Sequence, residues 1–215
     1  MKKLYRFLAL VANACVMTVM VACGGDDKVP GNTENLPSTL SEKFDNGISS
    51  DWTNIDADGD GRAWQDYILD VAGNHISLDG QVCSGSYLNS IGALEPDNYL
   101  ITPKLYIKAG ATLSYDVAPF DTIYYPDHYA VLVGTIEDGV FNPVGTLVEE
   151  DCSQAAVTRT VSLNEYKGQS LNIAFRHYNC TDVYVMTLDN VTVGTGAKAH
   201  VATEPQKLQN TNKEK

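Results

Sequence analysis

The sequence predicts an all-β fold, an antiparallel β-sandwich closed by Greek-key or jelly-roll winding. Three observations predict it. Apolar residues recur at a period of two: in "ATLSYDVA" Leu113, Tyr115 and Val117 share one face, and in "LNIAFRH" Leu171, Ile173 and Phe175 do. The turn signals "LDG", "KAG", "EDG" and "YKG" interrupt such runs at short intervals. No stretch offers four helical turns of i, i+3, i+4 apolar spacing. "HYAVLVG" is apolar on both faces, as expected of a strand in the middle of a sandwich sheet.

Taken from the N-terminus, Lys2, Lys3 and Arg6 precede an apolar run from Leu8 to Ala22 that Asn13 and Thr18 interrupt. It falls short of the roughly 20 apolar residues of a membrane-spanning helix, so residues 1–22 read as an export signal. The run ends in "MVACGGDD". That stretch resembles the lipobox of a bacterial lipoprotein, with Cys23 as the lipidated residue, and Asp26 and Asp27 resemble the tag that sends some Bacteroidetes lipoproteins outward. An ordinary secretory signal, cleaved elsewhere, is the alternative. The expected location is the bacterial outer membrane, at the cell surface, with the lipid as the only membrane contact. Residues 23–39, rich in Gly, Pro, Asn and charge, read as a flexible tether. Residues 40–195 have the size of a single domain with one core. Residues 196–215 carry almost no large apolar side chain and read as a disordered tail.

Without the signal the chain keeps 12 basic against 27 acidic residues, a net charge of −15. Such a surface repels nucleic acid and attracts cations. Of the five cysteines, Cys15 leaves with the signal and Cys23 takes the lipid. Cys83, Cys152 and Cys180 remain, an odd and widely spaced set that is neither a disulfide framework nor a zinc signature, although one pair could oxidise.

"NIDADGDGRAW" at 54–64 is the first candidate for chemistry. Asp56, Asp58 and Asp60 alternate with small residues, and carboxylates at every second position of a tight loop can converge on one Ca²⁺. An EF-hand would need a bidentate glutamate at position 67, which is Tyr67, and flanking helices, so a calcium sensor is excluded. A solvated acidic turn is the competing reading. Trp52 and Trp64, on either side, read as core. "DTIYYPDHY" at 121–129 reads as a loop whose Tyr124 and Tyr125 suit stacking on a sugar or contact with a protein. No GxSxG, HExxH or P-loop is present, and His128 and His177 read as packed polar residues rather than catalysts, so no enzyme is expected.

Four motifs in order, "KFDNGISSDWTNIDADGDGRAW", "LEPDNYLITPKL", "DHYAVLV" and "IAFRHYNCTDVYVMTLDNVTV", resemble the cleaved-adhesin family, also called choice-of-anchor J domains, across residues 40–195. The likeness is to the adhesin and haemagglutinin repeats of proteins such as the gingipains. It implies a jelly-roll β-sandwich with structural calcium and no catalysis. In the family an acid after the first-strand phenylalanine approaches an acid in the last strand and an ion joins the chain ends; the matching residues are Asp45 and Asp189. Asp56, Asp58 and Asp60 match the second family contact, and Asp127 matches a weaker ligand position. The implied function is a surface adhesin module binding host or matrix proteins, including haemagglutination or haem-protein capture. Glycan binding and a place as accessory subunit of a surface complex are the alternatives. "DTI" resembles a short bacterial O-glycosylation pattern with Thr122 as acceptor.

Overall fold

The protein was analysed as a computed structural model that describes residues 35–196. The export signal, Cys23, most of the tether and the tail beyond 196 lie outside the described residues. The described chain begins with β1 (Leu40–Glu42), β2 (Thr53–Asp56), β3 (Tyr67–Leu69), β4 (His75–Ser77) and β5 (Val82–Gly85). It continues through β6 (Tyr87–Leu88), β7 (Gly92–Ala93), β8 (Asp97–Ile101), β9 (Leu105–Tyr106) and β10 (Ala111–Pro119). It ends with β11 (His128–Glu137), β12 (Val140–Asp151), β13 (Val157–Ser162), β14 (Ser170–Tyr178) and β15 (Val185–Thr195). A single 3₁₀ turn, Asn164–Tyr166, is the only helical element among the described residues.

The strand pairings are antiparallel; they form the two main sheets of a jelly-roll β-sandwich, with β3–β4 and β6–β7 as separate two-stranded sheets. One sheet runs β1-β15-β10-β13, with β5 also on β15; the other runs β12-β11-β14-β8-β2, with β9 also on β14. The first and last strands pair, Leu40 opposite Val193 and Glu42 opposite Val191. Pro37 O already accepts from Tyr106 N at 2.9 Å, so the chain lies against the sandwich before β1 begins.

The period-two runs supply the main core. Leu113, Tyr115 and Val117 of β10 and Leu188, Val191 and Val193 of β15 meet Tyr129, Val131 and Val133 of β11 and Leu171, Ile173 and Phe175 of β14. Burying each of these large side chains stabilises the fold by roughly 1.5–3 kcal/mol before entropy is counted. Trp52 and Trp64 belong to the same cluster. The other face of β11 is apolar as well. Ala130 and Leu132 join Ile101, Phe141 and Ala174 in a smaller cluster, with Ile55, Tyr99, Ile136 and Tyr178 packed around it.

β10 departs from a simple half-solvated alternation. Its polar residues Ser114 and Asp116 are buried, because side chains of the flanking strands cover and satisfy them. Thr160 meets Ser114 Oγ at 3.3 Å, and Thr158 Oγ1 and Asn190 Nδ2 donate to the two Asp116 oxygens at 2.6 and 2.9 Å. Cys83, Cys152 and Cys180 are all free thiols, so no pair of them is joined.

Candidate functional site

The aspartate loop is closed at its base by an amide clasp. Asn54 Nδ2 donates to Trp64 O at 2.7 Å while Asn54 Oδ1 accepts from Trp64 N at 3.2 Å. The Trp64 indole N–H reaches Asn98 O at 3.2 Å and pins that end to β8. Within the clasp, Gly59 and Gly61 stand at φ +77° and +82°, backbone conformations that disfavour any side chain, so the bend requires glycine. Asp56 accepts from Gly59 N at 2.8 Å and from Gly61 N at 2.7 Å. Asp58 accepts from Asp60 N at 3.0 Å and from Asp97 N at 2.6 Å. These bonds curl the loop until one carboxylate oxygen from each of Asp56, Asp58 and Asp60 lies within 4.8 Å of the others.

The electrostatics of that cluster are unfavourable for three anions. The Asp60 carboxyl is raised above its ordinary value, chiefly by partial burial and then by the charge of Asp58. The Gly and Asp amides occupy only some of the lone pairs. The donor set, three hard carboxylates on a loop of small residues, fits Ca²⁺ and suits a zinc-type ion poorly.

Asp45 and Asp189 lie outside that loop, Asp45 shortly after β1 and Asp189 within β15, the strand with which β1 pairs. Asp45 is exposed, and its Oδ1 and Lys43 O crowd against Gly80, where an added Cβ would come within 3.0 Å of that oxygen. Asp189 stands opposite Asp116 on β10, and Asn190 Nδ2 bridges the two carboxylates at 2.9 and 3.0 Å. Neither Asp45 nor Asp189 belongs to a cluster of three metal-ligating side chains among the described residues. The amide bridge supplies at Asp189 a partner that carboxylate chemistry alone would seek in a cation.

The tyrosine loop divides. Tyr125 and Ile123 are exposed, at 41% and 70%. Tyr124 is half-buried, its ring edge-on to Tyr184 at 6.1 Å. Thr122 is half-buried, and its carbonyl accepts from Gln154 Nε2 at 3.1 Å. Asp127, the weaker ligand candidate, is completely buried. The chain turns inward after Pro126 because β11 begins at His128, and Asp127 N-terminal to it points into a polar pocket.

That pocket was not legible from the sequence. Ser86 Oγ donates to Asp127 Oδ1 at 2.5 Å, and His177 Nε2 lies 3.2 Å from the same oxygen. Cys180 Sγ lies 3.1 Å from His177 Nε2, and His177 Nδ1 meets Ser84 Oγ at 2.7 Å. A nucleophile relay needs the acid on the ring nitrogen opposite the thiol; here acid and thiol share Nε2 and a serine holds Nδ1. Burial, with the Asp127 charge second, pushes the Cys180 thiol up to about 12, away from the thiolate a nucleophile requires.

On the outer face of the second sheet, Arg176 donates two bonds to Asp97, at 2.7 and 2.9 Å. Its guanidinium lies over the rings of Tyr99, at 5.0 Å, and Tyr178, at 4.0 Å. The only signal for this strip was the alternation in "FRHYN", which puts Arg176 and Tyr178 on one face and His177 on the other.

The family model described as Cleaved Adhesin Domain matches residues 38–193. Hemagglutinin A of Porphyromonas gingivalis is 34% identical over 191 residues, covering 81% of this chain and 9% of that protein. Lys-gingipain W83 of Porphyromonas gingivalis is 34% identical over 173 residues, covering 73% of this chain and 10% of its own length. The chain therefore spans about a tenth of the length of these relatives. Among solved structures, the K3 cleaved adhesin domain of Lys-gingipain from Porphyromonas gingivalis W83 is 35% identical. It covers 74% of this chain and 98% of that domain, with a TM-score of 0.65. The K1 cleaved adhesin domain of the same protein is 36% identical, covering 74% and 99%, with a TM-score of 0.62.

Proposed function

The chain belongs to the Cleaved Adhesin Domain family, and from that premise we propose that it is a calcium-stabilised, lipid-anchored surface module that adheres to host or matrix proteins without transforming them. The observation that carries the reading is the match of residues 38–193 to an adhesin domain together with the convergence of Asp56, Asp58 and Asp60 within 4.8 Å. In this reading Ca²⁺ is structural: it neutralises three acids and holds the loop between β2 and Trp64. The ion supplies charge and coordination alone, and every contact with a partner comes from side chains of the chain. Ile123 and Tyr125 are the exposed apolar groups next to β11 that favour a protein partner. Cys23 provides the anchor and places the module outside the cell. The relative named Hemagglutinin A supports red-cell or haem-protein targets as the first to try.

The strip of Tyr99, Arg176 and Tyr178 favours a second reading, glycan binding, since half-exposed tyrosines flanking a guanidinium offer stacking faces and donors together. The calcium-loaded chain, immobilised and exposed in parallel to fibronectin, fibrinogen, haemoglobin and a glycan array, separates the two. Saturable binding to one of the proteins supports adhesion. Glycan hits alone transfer the function to the sheet face. Capture of neither, with co-purification of another envelope protein instead, makes the chain an accessory subunit and removes the adhesin reading.

A further inference from the structure

We propose that Asp127, His177 and Cys180 form a binding site for a single transition-metal ion of the Zn²⁺ class. The three come from separate places: Asp127 precedes β11, His177 lies on the inward face of β14, and Cys180 follows that strand. Folding brings one ligand atom of each within 4.8 Å of the others. A tetrahedral ion with bonds of about 2.0–2.3 Å keeps its ligand atoms roughly 3.3–3.6 Å apart. His177 Nε2 stands 3.2 Å from Asp127 Oδ1 and 3.1 Å from Cys180 Sγ, so an outward movement of a few tenths of an ångström makes the set a coordination shell.

Two further observations point to an ion. Asp127 Oδ2 is buried and has no hydrogen-bond partner, although its residue is wholly shielded from solvent. A bare carboxylate oxygen at such depth is costly, and a cation is the partner that satisfies it. The outer contacts are also those a metal-bound imidazole needs. His177 Nδ1 lies 2.7 Å from Ser84 Oγ, and Ser84 Oγ accepts from Asn98 Nδ2 at 3.0 Å, leaving it a second lone pair for an Nδ1–H and freeing Nε2 for the ion. Ser86 Oγ orients Asp127 in the same way. Cys180 lines an open cavity of about 380 Å³ with Glu95, Pro96, Asn179 and Thr181, which gives the ion an entry path and a fourth ligand from solvent. The donor set of thiolate, imidazole and carboxylate selects a borderline ion over Ca²⁺, which takes oxygen ligands. The aspartate loop and this pocket thus divide two metals by chemistry.

The test uses the full chain, reduced and stripped with chelator, in millimolar Ca²⁺ so that the aspartate loop is filled, and titrated with Co²⁺. We expect saturation at one equivalent, a thiolate-to-cobalt charge-transfer absorption, and its loss on adding Zn²⁺. Cys180→Ser loses the absorption and binds Co²⁺ at least about tenfold more weakly, and Asp127→Asn weakens binding comparably, while Cys152→Ser keeps both. Should the variants fold poorly, alkylation of Cys180 in the unaltered chain, followed by mass spectrometry, serves instead: Zn²⁺ slows it and Ca²⁺ does not. An absent charge-transfer band, a band that survives Cys180→Ser, or alkylation indifferent to Zn²⁺ overturns the proposal.

Discussion

Replacing Asp60 with asparagine should change the stability of the protein in opposite directions with and without calcium. Three carboxylate oxygens within 4.8 Å repel by about 0.9 kcal/mol per pair in a water-like dielectric, and physiological salt halves this to about 0.5. Asp60 takes part in two of the three pairs, so in chelator Asp60→Asn relieves about 1 kcal/mol, less the share Arg62 already offsets. For about 160 ordered residues that raises the melting temperature by roughly 2–4 °C. With calcium present at a hundred times its dissociation constant, the native protein gains about 2.7 kcal/mol by mass action, or roughly 5–10 °C. The asparagine variant forfeits most of that gain and melts below the parent. Acidity should act in the same sense. The Asp60 carboxyl is raised in the folded state, so the metal-free protein holds this proton more tightly when folded. Its contribution is fully present below 3.8 and is lost as pH rises through the higher folded value, whereas the calcium-induced shift shrinks as pH falls, because protons compete for the same oxygens. Circular dichroism melts in EDTA and in Ca²⁺ measure all of this. Parent melting curves that coincide in the two buffers, or an Asp60→Asn variant that is destabilised in EDTA, would refute the loop as a calcium site.

Tyr125→Ala and Ile123→Ala should weaken partner binding in surface plasmon resonance and leave melting unchanged. Tyr124→Ala should instead lower the melting temperature by roughly 3–6 °C, because its ring packs on Tyr184. Tyr129→Phe removes a buried hydroxyl that donates to Glu150 at 2.6 Å and meets Tyr115 at 3.1 Å. The expected cost is about 1–2 kcal/mol in urea denaturation, with an unchanged m-value. Arg176→Lys keeps the charge but loses the two-pronged bond to Asp97 and the stacking, and should cost about 1–2 kcal/mol in the same assay.

What could be read from the sequence was whatever repeats locally. The alternations of 113–117 and 171–175 named the core because period two is a property of neighbouring residues, and the doubly apolar "HYAVLVG" placed β11 inside its sheet for the same reason. The aspartate hexad was legible because its hydrogen bonds span at most five residues, apart from the tie to Asp97. The surroundings of Asp127 were not legible because they come from residues 41 and 50 positions away, Ser86 and His177. Its burial follows from the entry of the chain into β11, which begins at His128. The half-burial of Tyr124 was hidden for a similar reason, its cover coming from Tyr184 on the approach to the last strand.

The contact between Asp58 Oδ2 and Asp97 N does more than brace a loop. Asp97 grips Arg176 with its own carboxylate, and Arg176 spaces the rings of Tyr99 and Tyr178. Three residues therefore join the acidic loop to the outer sheet face without a break. By thermodynamic reciprocity, whatever factor an ion adds to affinity at those rings, a molecule seated on the rings adds to affinity for the ion. Under the proposed function, an ion held by the loop and a molecule seated on the rings are therefore not independent ligands, and the affinity measured for either depends on whether the other is bound.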